Sequence, residues 1–191
     1  MANVSLAEIG DLFNGIMRLN VLDLSGNRLE TIASDELDDF AGNLKDLLLA
    51  GNQLRDITGA FDRMELLETL SLAGNKLRLL DPETKQEMFP LSLLDKLYRL
   101  QSFDLSDNLF THVPKELIAD FSRGNLQNTG LKGNPFHCDW QIRPLYNFMR
   151  QERQSGRCPS EIRSVVSPMS GIANSSSCKF WHLQGRPSEH I

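Results

Sequence analysis

The sequence predicts an α/β solenoid of about five coils, closed at its C-terminal end by a segment of different composition. Three observations carry that prediction. An eleven-position pattern recurs four times between Leu19 and Phe110 and once more, degenerately, up to Phe136. Within each copy, apolar residues alternate as in a short strand with one buried face. Between copies, a second apolar set returns the chain to the next strand, so each coil buries its residues only against its neighbours.

The 191 residues suit one domain, or one module with a small appendage. A chain of this length buries roughly 70% of its unfolded surface and needs no cysteines to make a core. With 20 Lys and Arg against 25 Asp and Glu, the net charge of −5 offers no field for a phosphate backbone, and nucleic-acid partners are disfavoured. No apolar run approaches the 18 residues that would span a bilayer. No secretory leader is legible either, because the first basic residue, Arg18, comes after Glu8 and Asp11. Three cysteines leave one thiol over in an oxidising compartment and need mean nothing in a reducing one.

In chain order, residues 4–19 read as the second half of a coil (Leu6, Ile9, Phe13, Ile16, Leu19) whose first half is absent, so a fragment of a longer protein is expected. The first full copy is Leu19-Asn-Val-Leu22-Asp-Leu24-Ser-Gly-Asn27-Arg-Leu29. Further copies run from Leu44 to Leu54, Leu67 to Leu77 and Leu100 to Phe110; the fifth keeps Leu126, Thr129, Leu131, Asn134 and Phe136. A Ser-Gly, Ala-Gly or Ser-Asp pair turns the chain out of each of the first four strands, and an asparagine enters the interior. An unsatisfied buried amide costs about 1–3 kcal/mol. Asn27, Asn52, Asn75, Asn108 and Asn134 are therefore read as a structural ladder bonded to the backbone of their own turn and of the adjacent coil. The return legs supply Ile9, Phe13 and Ile16; Ile32, Leu37 and Phe40; Ile57, Phe61 and Met64; and Val113, Leu117 and Phe121.

The asparagines stand 25, 23, 33 and 26 residues apart. The long third interval marks an insertion near residues 81–92, on the return side. Within it, Met88, Phe89 and Leu91 read either as a small exposed anchor set or as a turn of helix folded back over the flank.

These copies resemble the leucine-rich repeat family, whose signature is L-x-x-L-x-L-x-x-N-x-L. The resemblance implies a curved parallel sheet on the concave face of the solenoid, over residues 1–134, and recognition of a protein partner by that face. Its outward columns are Val21, Asp46, Thr69, Ser102 and Asn128; Asp23, Leu48, Ser71, Asp104 and Gly130; and Ser25, Ala50, Ala73, Ser106 and Lys132. The face is polar and slightly acidic and lacks Trp, Tyr and Arg, the usual anchors. Asp23, Asp46, Ser71, Ser102 and Asp104 are the candidate contact residues, and a basic partner is favoured.

The stretch from Asn134 to Met149 resembles the opening of the C-terminal flanking cap of extracellular members, N-P-aromatic-x-C-x-C followed by an amphipathic helix. Here the cap covers 135–182 and leaves a polar tail over 183–191. Ile142, Leu145, Phe148 and Met149 have helical spacing, and Pro144 fits a first-turn position. Trp140 stands where the second family cysteine would be and is expected to fill the volume of the lost bridge. The family pairing, carried over, implies a Cys138–Cys158 disulfide and leaves Cys178 without its usual partner, as a buried thiol, an intermolecular bridge or an alternative partner for Cys138.

His137, Cys138, Cys158, Cys178 and His182 offer zinc-type ligands, but no C-x-x-C pair accompanies them and the resemblance assigns the cysteines to a disulfide, so no metal is expected. Sequons at Asn3 and Asn174 are possible N-glycosylation sites. The four histidines adjoin no nucleophile pattern and no phosphate-binding glycine motif exists, so neither an enzyme nor a cofactor site is expected. The expected function is non-enzymatic protein–protein recognition in an extracellular or cell-surface protein, its leader lost with the missing part. The alternative is a cytoplasmic repeat adaptor or regulatory scaffold for an enzyme, with reduced cysteines.

Overall fold

One inward residue between two outward ones makes each strand, and a turn follows after three residues. The computed structural model describes residues 1–33, 35–80, 83, 88–121, 125–137 and 140–148, and the helix backbone as far as 154. Its strands are β1 (Val21–Asp23), β2 (Asp46–Leu48), β3 (Thr69–Ser71), β4 (Ser102–Asp104) and β5 (Asn128–Gly130). They pair in parallel in chain order to give one five-stranded sheet. Register matches Val21 to Asp46, Asp46 to Thr69, Thr69 to Ser102 and Ser102 to Asn128. These offsets equal the asparagine spacings, so the insertion is absorbed entirely off the sheet.

The interior holds Leu22, Leu47, Leu70, Phe103 and Thr129 from the strand centres, and Leu24, Leu49, Leu72, Leu105 and Leu131 from the strand ends, all buried. Beside them the asparagine amides bridge coil to coil. Asn75 Oδ1 accepts from the Leu54 N–H at 3.0 Å, while its Nδ2 donates to the carbonyls of Leu49 at 3.0 Å and Leu72 at 2.9 Å. Asn52, Asn108 and Asn134 repeat the arrangement, accepting from Leu29, Leu77 and Phe110 at 3.1 Å. Among the described residues no buried side-chain polar atom lacks a partner.

The first half-coil starts earlier than its apolar pattern suggests. Met1–Leu6 runs in register with Leu24–Leu29: Asn27 Oδ1 accepts from Val4 and Leu6 at 3.2 and 2.9 Å, and its Nδ2 donates to the Met1 carbonyl at 3.0 Å. Val4 thus stands in the place that asparagine holds in later coils. The periodicity is lost to inspection there because only Met1 and Leu6 keep the motif.

The return legs carry a 3₁₀ turn (Gly10–Phe13) and the helices α1 (Asp38–Ala41), α2 (Leu93–Lys96) and α3 (Lys115–Phe121). Phe13 packs edge-on against Phe40 at 5.8 Å. Of the expected return-leg set only Ile16 is outside the core, 39% exposed, because the chain turns at Gly15 (φ 81°) after the buried Phe13. Leu80, at the motif place of Ile32 and Ile57, is likewise exposed, and Leu79 is buried instead. The described end of the insertion folds back over the flank, but without a turn of helix over residues 88–91. The Met88 N–H donates to the Leu79 carbonyl at 2.9 Å, and Phe89 drops into the core, fully buried and edge-on to Phe110 at 5.2 Å. Phe89 is therefore not an exposed anchor.

Beyond the last coil, a 3₁₀ turn (Trp140–Ile142) leads into α4 (Arg143–Gln154), with Pro144 in its first turn as expected. Ile142, Leu145 and Phe148 are buried, and Phe148 lies 6.2 Å from Phe121 of α3. Trp140 does not fill an interior volume: it is 75% exposed, because the three apolar residues that follow it already cover the last coil. Cys138, Cys158, Cys178, Asn174 and His182, with the tail, lie outside the described residues.

Asn75→Ala orphans the buried Leu54 N–H and removes one of the two amide donors at each of the Leu49 and Leu72 carbonyls, and Asn75→Asp sets a carboxylate against those carbonyls. Each variant is expected to lose about 2–4 kcal/mol in urea unfolding, and a loss below about 1 kcal/mol would show that the ladder is dispensable. Phe89→Ala should cost about 3–5 kcal/mol, as core truncations do. An unchanged midpoint would return Phe89 to the surface.

Candidate partner-binding face

The strand register sets the outward side chains in columns, about 4.8 Å apart from strand to strand. Val21, Asp46, Thr69, Ser102 and Asn128 form one column; Asp23, Leu48, Ser71, Asp104 and Gly130 form the next. All are exposed or half-buried except Gly130. The candidate residues Asp46, Ser71 and Ser102 lie on adjacent strands at the centre. Asp23 and Asp104, three strands apart, are separated by about 14 Å and do not share one small ligand.

Two of the three aspartates have a local task. Asp23 Oδ1 accepts the Ser25 N–H and Asp104 Oδ1 accepts the Ser106 N–H, each at 2.9 Å, so each carboxylate closes the turn that ends its own strand. The backbone bond from Ser25 holds the Asp23 carboxyl below the usual aspartate range, helped by the Ser25 side chain and opposed by burial. The Asp46 carboxylate has no hydrogen-bond or ion-pair partner among the described residues. It is the carboxylate with no structural commitment.

Asp104 also dictates its neighbour on β5. A Cβ at Gly130 would stand 2.0 Å from Asp104 Oδ1 and 2.7 Å from Ser106 Oγ, so any larger residue there has to displace those side chains. The turn role was missed in sequence, but a signal for it exists. Asp and Ser occur together as Asp23/Ser25 and Asp104/Ser106, whereas coils with Ala50 and Ala73 carry Leu48 and Ser71 instead.

Asn3, of the first sequon, is exposed on a turn at φ 58° with its side chain over Gly26. Among the described residues no three His, Cys, Asp or Glu gather as metal ligands, and no helix is long and apolar enough to cross a membrane.

A titration of the Asp23 carboxyl by NMR is expected to give a midpoint below the ordinary aspartate value. Because its folded pKa is the lowered one, Asp23 adds stability at pH above its unfolded pKa, and that stability is lost as pH falls through the folded value. A midpoint at or above the ordinary aspartate value would remove the Ser25 bond from the account. Gly130→Ala should destabilise by about 1–3 kcal/mol through the forced displacement of Asp104, and Asp104→Ala in the same chain should recover part of it.

A family model described as Leucine Rich Repeat matches residues 18–40. Podocan of Mus musculus is 32% identical over 126 residues, 65% of this chain and 19% of that protein. Leucine-rich repeat and fibronectin type-III domain-containing protein 4 of Rattus norvegicus is 30% identical over 144 residues, 72% of this chain and 20% of its own length. The chain thus spans about a fifth of the length of these curated relatives. Among solved structures, the leucine-rich repeat ectodomain of the receptor kinase SOBIR1 from Arabidopsis thaliana superposes with a TM-score of 0.51 at 25% identity, over 70% of this chain and 66% of that one. With five copies of the motif, the parallel sheet they build and these matches, the chain is a member of the leucine-rich repeat family.

Proposed function

We propose that this chain is a non-enzymatic protein–protein recognition module of an extracellular or cell-surface protein. Its ligand is a protein with a basic contact surface, met by the sheet face around Asp23, Asp46, Ser71, Ser102 and Asp104. The observation that carries this reading is the open sheet face. Four of the five strands present both outward side chains exposed or half-buried and in register. Such a face is a rigid platform, which lowers the ordering cost of binding. The burial of Phe89 makes the insertion the weaker route. Asp46 is the best single residue to vary, since Asp23 and Asp104 also hold turns.

The extracellular assignment is supported by likeness to a receptor-kinase ectodomain and to a relative named for its fibronectin type-III domain. It carries with it a Cys138–Cys158 bridge, an unpaired Cys178 and possible glycans at Asn3 and Asn174. A bridge across about 20 residues would stabilise the cap by roughly 3 kcal/mol.

Mass spectrometry of unreduced, alkylated peptides from natively produced protein is expected to find Cys138 linked to Cys158 and Cys178 labelled. Three labelled thiols would instead favour a cytoplasmic adaptor or regulatory scaffold. Against a panel of purified ectodomains, the ligand captured by the native chain should bind Asp46→Lys at least about tenfold more weakly. An unchanged affinity, with Ser71→Arg also silent, would take recognition off this face.

A further inference from the structure

The first return leg carries the one asparagine of the chain that glycine follows, Asn14-Gly15. In that dipeptide the backbone nitrogen after the asparagine can attack the side-chain amide carbon, because glycine sets no side chain in the way. The ladder asparagines are shielded from this chemistry twice over. Arg28, Gln53, Lys76, Leu109 and Pro135 follow them, and Asn27, Asn52, Asn75 and Asn108 are buried with their amides bonded.

Asn14 and Gly15 are both exposed, where the 3₁₀ turn Gly10–Phe13 ends. A Cβ at Gly15 would meet nothing within 4 Å, so there is open space for a ring to close. Two carboxylates hold the pair. Asn14 Nδ2 donates to Asp11 Oδ1 at 2.8 Å, and the Gly15 N–H donates to Asp39 Oδ2 at 3.2 Å. The second bond ties up the nitrogen that would attack and fixes the backbone that has to rotate, since Asn14 stands at ψ 130° and Gly15 at φ 81°. Asp39 belongs to α1 on the next leg, so this bond lasts only while the first leg is docked on the second.

We propose that Asn14-Gly15 is a site of spontaneous deamidation, guarded by Asp39 and released when the first leg opens. Gly15 N bonds to Asn14 Cγ, the Cγ–Nδ2 bond breaks, and Nδ2 leaves as ammonia with the proton from Gly15 N. Water then opens the succinimide at either carbonyl, to aspartate or isoaspartate. Neither product restores the native contacts. A carboxylate at residue 14 faces Asp11 across the former hydrogen bond, and like charges so close repel. Isoaspartate also adds a methylene to the backbone before Gly15, which carries its N–H away from Asp39. Of the side-chain bonds between the two legs, those of Glu36 to the Gly10 N–H and of Asn43 to the Met17 carbonyl remain.

The full chain is kept in warm neutral buffer for weeks, and residue 14 is followed by peptide mass spectrometry with enzymatic isoaspartyl methylation. Aspartate and isoaspartate are expected at residue 14, with far less acid at the exposed Asn20 and Asn43, which precede Val21 and Leu44. Asp39 is exposed, so Asp39→Ala leaves the core intact. It should raise the rate at least about threefold, the factor that one hydrogen bond of ordinary net strength supplies. Asn14→Asp, made directly, should speed amide hydrogen exchange at Gly15 and leave β3 unchanged. Retention of the amide by both the native and the Asp39→Ala chains, through the time in which a synthetic peptide of residues 12–17 converts, would overturn the proposal. So would a rate in Asp39→Ala no higher than the native one, or conversion first at a ladder asparagine.

Discussion

Where each strand ends, the chain turns inward and its backbone polar groups leave both the sheet ladder and water. In the third coil the N–H of Leu54 is answered by Asn75 Oδ1, and Asn75 Nδ2 shares the carbonyls of Leu49 and Leu72 with the amides of Asn52 and Asn108. One short side chain supplies an acceptor and two donors to two coils at once. The repeat depends on that interaction, because each amide fixes both the turn it sits in and the distance to the coil before it. The column of turn residues follows from the same close approach. A Cβ at Gly74 would stand 3.4 Å from the Gly51 nitrogen, and one at Gly51 would stand 3.7 Å from Gly26. Only two non-glycine residues share this column and its left-handed turn, Asn3 at φ 58° and Asp107 at φ 53°. Each leans over a glycine of the next coil, Gly26 and Gly133, where a Cβ would stand 1.9 Å from its side-chain oxygen. A side chain is tolerated in this column only where the next member lacks one.

The same economy shapes the sheet face. Strands of three residues leave little room to separate turn chemistry from recognition, so Asp23 and Asp104 do turn work from positions that also face outward. The acidity of the face is in part a by-product of closing turns, and only Asp46 is acidic without a turn to hold. On the return side, carboxylates tie coils in another way. Glu36 accepts the Gly10 N–H at 3.1 Å and Asp39 accepts the Gly15 N–H at 3.2 Å, binding the first leg to the second. Ion pairs between legs, such as Arg63 with the half-buried Asp38 at 2.7 Å, remain solvent-accessible and add about 0–1 kcal/mol each. Stability therefore resides in the leucine and asparagine interior, which leaves the exposed columns free to vary.

The fold was legible in the sequence because its period is physical. Each copy repeats the same burial pattern, so the asparagine intervals give the strand register directly, including the step across the insertion. What stayed illegible had no periodic signal. Phe89 and Leu79 are core residues, chosen by how the insertion closes on the backbone of Leu79 rather than by motif position. Met1–Leu6 keeps the hydrogen bonds of a coil while losing its asparagine, so its membership is written in the backbone and not in the side chains. At the candidate face the columns followed from the strand period. The turn duties of Asp23 and Asp104 did not, since they depend on where Ser25 and Ser106 point their N–H groups.

Trp140 is the residue on which family pattern and physical accounting diverge. Its place in the family motif belongs to a cysteine, which suggests a side chain needed for closure. Closure of the last coil, however, requires only that apolar surface on α3 be covered. Phe148 against Phe121, with Leu145 fully buried, does that from α4 alone. A helix that covers the coil without help from its leading turn leaves the first position of that turn unconstrained by packing. Trp140 takes that position with its indole 75% exposed, outside the packing that the described residues supply. Among the described residues the indole borders an open groove with His112, Pro114 and Lys115 rather than the interior of the last coil.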